Sequence, residues 1–395
     1  MFETFAIAFV LAVVLIRLLM PVAVHAGLVD LPTVRKRHSG QIPMVGGLAV
    51  YATLLALCLI FPFWRERNGA WLIALGVPLL LVGLADDRWN LSPAKRFLVE
   101  ACCAIFAVLY CGIRIHDIGS LIPGIGGSLL LLSIPMSVVG IVGGINAINM
   151  TDGIDGLAGG LAMLTFSALS LLALPVNLAV ALQLISFVAV MLGFLVFNSR
   201  FFGRKHAAIF MGDGGVTFIG FAIVWYLISL SQGPDAVIRP VSALWLFAVP
   251  LLDTMTIMSR RIAHGQSPFA ADREHLHHIL MLAGFGDKRT VLIILLSHLV
   301  FILFGVAAIA LQVPDWISFW LFVTVFAAYH FSMSHAWRLM KRLKSFREWA
   351  GFEDRRNEDR DAAGRRTGLT TMASGLEPSG RDRRKKTDRR NNHVD

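Results

Sequence analysis

What this chain has least of is charge. Only 16% of its 395 residues are Asp, Glu, Lys or Arg, where a soluble domain carries about 25%. With 56% hydrophobic residues and a mean hydropathy of +0.67, that shortage excludes a soluble enzyme and a disordered protein. Cysteine is also scarce. Cys58, Cys102, Cys103 and Cys111 lie in or beside apolar runs, without metal-ligand or catalytic spacing. They exclude a secreted disulfide scaffold and read as small buried hydrophobes. No basic n-region follows Met1. The first apolar run continues past Arg17 to about Ala26, so it is expected to be a retained span and not a cleaved signal. Ionisable groups inside the apolar runs are few beyond Arg17 and Glu100. A pump or channel would carry more of them, facing a pathway.

What is present is a series of apolar runs of roughly 17–25 residues, the length that crosses a bilayer. Hydropathy places them at about 4–26, 44–63, 70–85, 96–113, 127–145, 157–175, 177–197, 214–231, 240–258, 290–312 and 316–337. The expected fold class is therefore an all-α polytopic membrane protein of about 11 transmembrane helices. An odd number puts the termini on opposite sides. Loops on one side hold Arg35, Lys36, Arg37, Arg88, Lys95, Arg96, Arg200, Arg204, Lys205, Arg260, Arg261, Arg273, Lys288 and Arg289. Loops on the other hold Arg65, Arg67, Arg114 and Arg239. The positive-inside rule puts the first set in the cytoplasm, with the N-terminus outside and the C-terminus inside.

The chain is expected to divide into a transmembrane domain, 1–338, with five cytoplasmic loops, and a tail, 339–395. From Arg338 onward there are 17 Lys/Arg and 10 Asp/Glu, so +7 of the net +10 lies there. Such a composition reads as mostly disordered. Its start, Trp337 to Arg347, is basic and amphipathic and could lie on an anionic leaflet. The end segment interleaves Asp with Arg and lacks aromatics, so no nucleic-acid partner is expected.

Motif-like residues collect in the five cytoplasmic loops. Carboxylates crowded at helix ends on one membrane face suit a charged soluble substrate meeting a lipid one. The first loop carries Arg35, Lys36, Arg37 and His38 before Pro43–Gly47; the cations either clamp phosphate or reflect positive-inside bias and anionic lipid. The second has Asp86-Asp87, then Ser92 and Pro93 as N-cap and first position of the next helix, then Lys95. The two acids are candidate metal ligands or a base for a phosphate monoester, or else a solvated helix end.

The third loop is the most specific: Asn146, Asn149, Asp152, Asp155 and four glycines within Asn146–Gly160. On a helix, the i, i+3 spacing puts Asp152 and Asp155 on one face, and hard oxygen ligands favour Mg²⁺ or Mn²⁺ with phosphate oxygens completing the shell. The fourth loop runs from Asn198 through Phe210 to Asp213. Asp213 either caps the next span or ligates a metal, and Phe210 is a stacking face for a base or an interfacial anchor. The fifth holds Asp253, Arg260, Arg261, Arg273, His275, His277 and His278. The H-x-H-H spacing is a weak zinc signal without a further ligand; His and Arg donors gripping a phosphorylated sugar fit the surrounding acids better.

With these motifs in order, residues 27–285 resemble the polyprenyl-phosphate N-acetylhexosamine-1-phosphate transferases, the MraY/WecA superfamily. The resemblance rests on Pro43–Gly47, Asp86-Asp87, Asn146–Ala158, Phe210–Asp213 and the His275–His278 loop. Ser267 to His278 looks most like the WecA-like branch. It implies transfer of N-acetylhexosamine-1-phosphate, most of all GlcNAc-1-phosphate, from a UDP-N-acetylhexosamine to undecaprenyl phosphate. UMP and a lipid-linked sugar pyrophosphate result, the first membrane step of a surface polysaccharide such as O-antigen. The expected place is the cytoplasmic face of a bacterial inner membrane, with a homodimer left open.

By the resemblance Asp213 is the principal Mg²⁺ ligand, and Asp152 and Asp155 lie at nucleotide and metal. Asp86 and Asp87 lie near the lipid phosphate and are proposed as base. Substrate contacts fall to Arg37, Lys95, Asn146, Asn149, Asn198, Phe210, Arg261, Arg273, His275, His277 and His278. Asn90 departs from the pattern, since many WecA-like chains carry a third Asp there. The alternative function is a transporter of a nucleotide- or lipid-linked sugar.

Overall fold

A computed structural model describes residues 1–30, 40–267 and 275–349. The fold is all-helical apart from one short β-pair. Helix α1 is Phe2–Ala26, closed by Gly27 in the left-handed region at φ 68°. Strands β1 (Val29–Asp30) and β2 (Ile42–Pro43) pair antiparallel, Val29 with Pro43 and Asp30 with Ile42. There follow α2 (Gly46–Ile60), α3 (Gly69–Trp89), α4 (Pro93–Leu109), α5 (Ser133–Thr151), α6 (Leu157–Ala173), α7 (Leu178–Asn198) and α8 (Asp213–Ser231). The chain continues through α9 (Pro240–Leu246), α10 (Ala248–Ala263), α11 (Leu276–Leu282), α12 (Asp287–Ala310) and α13 (Asp315–Trp349).

Seven of these helices are long and apolar enough to cross a membrane, and eight if α9 and α10 form one broken span. Helices α2 and α6 are apolar but shorter, and α4 carries Lys95, Arg96 and Glu100. Each of the eleven expected runs thus overlaps a helix, while length and composition alone support seven or eight spans. The chain is a multi-pass membrane protein. The expected tail, 339–395, lies outside the described residues from 350 onward.

Helix α8 lies at the centre. It is hydrophobic on every side, as a helix enclosed by other helices must be, and nearly all of it is buried, from Gly214 to Ser231. Helices α1, α12 and α13 are peripheral and show large apolar side chains outward, among them Val10, Leu18, Val300, Leu303 and Phe331, as a lipid-facing surface requires. The cysteines are all free; Cys103 and Cys111 are buried as expected, but Cys102 is exposed on α4, one residue off the buried face.

Two features of the helix pattern position the site. The first is glycine. A Cβ on Gly47 of α2 would lie 2.2 Å from Cα of Gly215, and one on Gly83 of α3 2.1 Å from Cα of Gly214. Only glycine lets backbones approach this closely, so α2 and α3 both pack directly on the first turn of α8. The second is a break. The expected span at 240–258 turns by 86° between α9 and α10. Pro250 has no N–H to offer Leu246 four residues back, and the freed Leu246 carbonyl accepts from the Thr165 hydroxyl of α6 at 3.1 Å. His298 of α12 bonds the same hydroxyl at 3.0 Å. Lipid could not satisfy that carbonyl; Thr165 does, its hydroxyl held in turn by His298, and the bend persists.

Candidate active site

At one end of the helices, loops that are distant in sequence meet. The amide of Phe210 donates to the Pro43 carbonyl at 2.9 Å, while Gly46 and Gly47 donate back to the carbonyls of Phe210 and Met211 at 2.9 and 2.8 Å. The loop before α2 is thereby fastened to the loop before α8. Asn198, buried at the end of α7, accepts from the Gly156 amide at 2.7 Å and donates to the Ile209 carbonyl at 2.9 Å. Its amide is occupied by backbone on both ends, holding the third and fourth loops together.

The acids gather where α3, α4 and α8 begin or end. Arg96, in the first turns of α4, reaches Asp86 Oδ2 at 2.6 Å and Asp213 Oδ2 at 2.9 Å. Asp87 Oδ1 accepts the backbone amide of Asp213 at 3.1 Å. Asp213 is therefore not the cap of α8. Gly212, at φ 75°, precedes the helix, and a carboxylate from α3 meets its positive end, leaving the Asp213 side chain facing Arg96. Asn90 closes α3 in the left-handed region at φ 48°, its amide on the Asp86 carbonyl at 2.8 Å. Asn tolerates that conformation better than most residues, as Asp does, so the backbone does not explain the missing third acid. Ser92 and Pro93 begin α4 as expected, though the hydroxyl makes no capping bond.

Asp152 and Asp155 lie between α5 and α6, not on a helix. The expectation that a helical face aligns them is corrected: the glycine-rich stretch leaves the helix at Thr151 and re-enters at Leu157. Protein crowded around Asp152, then the carboxylates of Asp213 and Asp155, push its pKa up to about 7, although its surface opens to solvent. Asp155 turns elsewhere. Its Oδ2 accepts from Arg200 Nε at 2.7 Å and from the Ala207 amide at 3.2 Å, and Arg200 continues to Asp287 Oδ2 at 2.6 Å.

The histidines sit on and before α11, a short helix that the sequence did not suggest. His277 is buried against the backbone of Gly153, where a Cβ would lie 2.3 Å from its Nε2, so it abuts the Asp152 loop. Burial, with His278 and His275 beside it, holds His277 neutral, its pKa down at about 3. The His277 and His278 rings stand 4.1 Å apart.

Of the other expected substrate residues, Asn146 donates to Glu100 Oε2 at 2.8 Å. Asn149 is half-buried in the last turn of α5, and Arg261 is buried on α10. Lys95 is exposed. Arg37 and Arg273 lie outside the described residues. The sequence reading named Arg96, Arg200 and Asp253 as loop residues without giving them a role in the site, and it passed over Asp287 and Tyr329. A signal for Arg96 existed in the helical phase: Arg96, Glu100, Cys103, Ala104 and Ala107 share one face by i, i+4, i+7 spacing, and all but Arg96 are buried there. Lys95 points about 100° away. Among the described residues, no three His, Cys, Asp or Glu side chains are gathered closely enough to hold a metal ion by themselves.

The class so defined is a multi-pass membrane protein with an acidic, arginine-laced centre at one end of its helices. Residues 70–231 match the model of Glycosyl transferase family 4. The undecaprenyl-phosphate alpha-N-acetylglucosaminyl 1-phosphate transferase of Salmonella typhi is 35% identical over 85% of this chain and 92% of its own length. The proteins of the same description from Escherichia coli strain K12 (33%, 82% and 88%) and Pasteurella multocida (35%, 84% and 92%) are similarly related. The chain belongs to glycosyl transferase family 4.

Proposed function

We propose that this protein transfers GlcNAc-1-phosphate from UDP-GlcNAc to undecaprenyl phosphate at the cytoplasmic face of a bacterial inner membrane. The observation that carries the reading is the convergence of Asp86, Asp87, Arg96, Asp152 and Asp213 at one end of an apolar bundle. Names of relatives alike over more than four-fifths of the chain support undecaprenyl phosphate and the GlcNAc-1-phosphate group, and the cation-rich loops on that side support the face. In the reaction an oxygen of the lipid phosphate attacks the β-phosphorus of the nucleotide sugar. A P–O bond forms there, the bond to the α-phosphate oxygen breaks, and UMP leaves.

Such a transfer needs charge neutralisation and alignment more than covalent chemistry. Arg96 supplies a fixed cation between Asp86 and Asp213. Asp87 sets the first turn of α8, so Asp213 is held in place before substrate arrives. In this reading Asp86 and Asp87 meet the lipid phosphate and act as its base. Asn149 and Phe210 contact the nucleotide. In this reading Arg261, Arg273 and the His275–His278 segment bind the phosphorylated sugar, and Arg37 and Lys95 are further substrate contacts. Asn146 orients Glu100, and Asn198 and Asp155 hold the loops that frame the site.

The donors fit a divalent cation of the hard, oxygen-seeking kind. Burial, and then the nearby carboxylates of Asp213 and Asp155, raise Asp152, and Mg²⁺ is bound by one or two carboxylates completed by substrate phosphates, not by an all-protein cage. Mg²⁺, or Mn²⁺, held by Asp213 and Asp152 would neutralise the pyrophosphate when bound. The test is Asp213→Asn in native membranes, reading UMP released from UDP-GlcNAc. Turnover is expected to vanish at unchanged protein level, and EDTA to stop the wild type until Mg²⁺ is restored. Near-normal release by Asp213→Asn overturns the assignment. Sugar carried into proteoliposomes without UMP would favour a transporter instead.

A further inference from the structure

Asp253 is a buried acid on α10 that the transfer reaction leaves without a role. It accepts three hydrogen bonds from beyond its own helix. The amide of Leu276 and the hydroxyl of Tyr329 on α13 both reach Oδ1, at 3.0 and 2.9 Å. Among the described residues, His275 Nδ1 alone meets Oδ2, at 2.8 Å. A carboxylate only accepts, so Nδ1 of His275 carries a hydrogen. In the neutral ring the lone pair then lies on Nε2.

We infer that Asp253, braced by Tyr329, is a positioning residue for His275. It fixes the ring plane and the Nδ1–H tautomer, so that Nε2 accepts a hydrogen bond from an O–H or N–H of the hexosamine in the nucleotide sugar. The ligand named here rests on the function proposed above; the tautomer does not. Two donors converging on one oxygen would pin the loop to α10 and α13 without any imidazole. The His275 bond on the other oxygen is what a structural role leaves unexplained. Where an Asp behind a catalytic imidazole is changed to Asn, geometry persists while the tautomer is wrong and turnover collapses.

Asp253→Asn separates the two roles. Leu276 and Tyr329 both donate, so the amide oxygen must take the Oδ1 position and the NH₂ must face His275. An NH₂ donates, Nδ1 must then give up its hydrogen, and Nε2 becomes the donor. Full-length protein labelled with ¹⁵N-histidine in bilayers reads this directly, with the His275 signal assigned by its loss in His275→Ala. The wild type is expected as Nδ1–H and Asp253→Asn as Nε2–H. In UMP release, Asp253→Asn is expected to lose about 10–100-fold in kcat/KM and Tyr329→Phe less. The double variant Asp253→Asn/His275→Ala is expected to lose no more than His275→Ala alone. An unchanged tautomer, or a loss that multiplies onto that of His275→Ala, overturns the inference. A wild type that releases no UMP with UDP-GlcNAc and undecaprenyl phosphate refutes the substrate reading instead, and the ¹⁵N result still decides the positioning.

Discussion

Gly83→Ala tests whether the acid cluster depends on the close approach of α3 to α8. The new Cβ would lie 2.1 Å from both Cα and N of Gly214, and 2.7 Å from the carbonyl carbon of Asp213. Ordinary van der Waals contact begins at 3.4 Å, and the difference from 2.1 Å is about 1.3 Å. The atoms in the way are backbone, so no side-chain rotation relieves them. The helices must part by roughly that distance, because a close-packed interior transmits such a strain. Overpacking of this kind costs about 1–3 kcal/mol of stability.

The effect on turnover is the larger one. Asp213 is held by Asp87 at 3.1 Å and Arg96 at 2.9 Å, and either bond stretched by about 1 Å is no longer a hydrogen bond. A displacement near 1 Å costs on the order of 10²-fold in rate. The assay is UMP release by the inserted variant, beside the temperature at which half of the activity is lost on heating. The expected outcome is about a hundredfold lower turnover with a modest fall in that temperature. Gly143→Ala on α5 is the control. Nothing lies within 4 Å of its Cβ, and alanine there favours the helix by up to about 1 kcal/mol, so turnover should stay at the wild-type level. Wild-type turnover in Gly83→Ala, or an equal loss in both variants, would refute the reasoning.

Two further outcomes follow from the polar groups. Asp152 has a folded pKa of about 7 against an ordinary 3.8. A raised pKa gives stability that is present below 3.8 and is lost as pH rises to about 7. In EDTA, Asp152→Asn should therefore gain on the wild type in thermal stability as pH rises from about 4 to 7, with a constant gap above; a gap that narrows with rising pH contradicts the assignment. Thr165→Val leaves the Leu246 carbonyl and His298 without their shared partner, a loss of about 1–3 kcal/mol. It should lower the half-inactivation temperature while KM for UDP-GlcNAc holds; a shift in KM at unchanged heat stability would mean the bend is set otherwise.

The parts of this structure that the sequence reveals are those set by the bilayer and by local backbone chemistry. Every expected apolar run falls on a helix, because hydrocarbon imposes the same demand on each span regardless of its neighbours. Pro93 opens α4 and Gly27 closes α1 for reasons confined to a few residues. The Asp and Gly motifs are legible too, since two acids at a membrane helix end are costly without a role. What the sequence conceals is choice of partner across the bundle. The helical phase of α4 separates Arg96 from its neighbour Lys95, but that Arg96 meets Asp86 of α3 and Asp213 of α8 shows only in the fold. Asp152 and Asp155 share a motif, yet crowding raises one while Arg200 claims the other.

Tyr329 carries no signal at all, being one polar tip in an apolar run, and it acquires meaning only because α13 passes Asp253. Pro250 lies between these cases. It announces a weakness in the ninth apolar run, but the 86° turn requires that another helix accept the freed carbonyl, and Thr165 does so from 81 residues away. The glycines are intermediate in the same sense. Gly46, Gly47, Gly83, Gly214 and Gly215 are visible in the sequence as small residues near the acids, but nothing in the sequence says what approaches them. The structure uses Gly47, Gly83, Gly214 and Gly215 first for the approach of helices, and the nearness of Asp213 to Asp86 and Asp87 is the consequence. An alanine at Gly83 should therefore damage a reaction whose substrate it never touches.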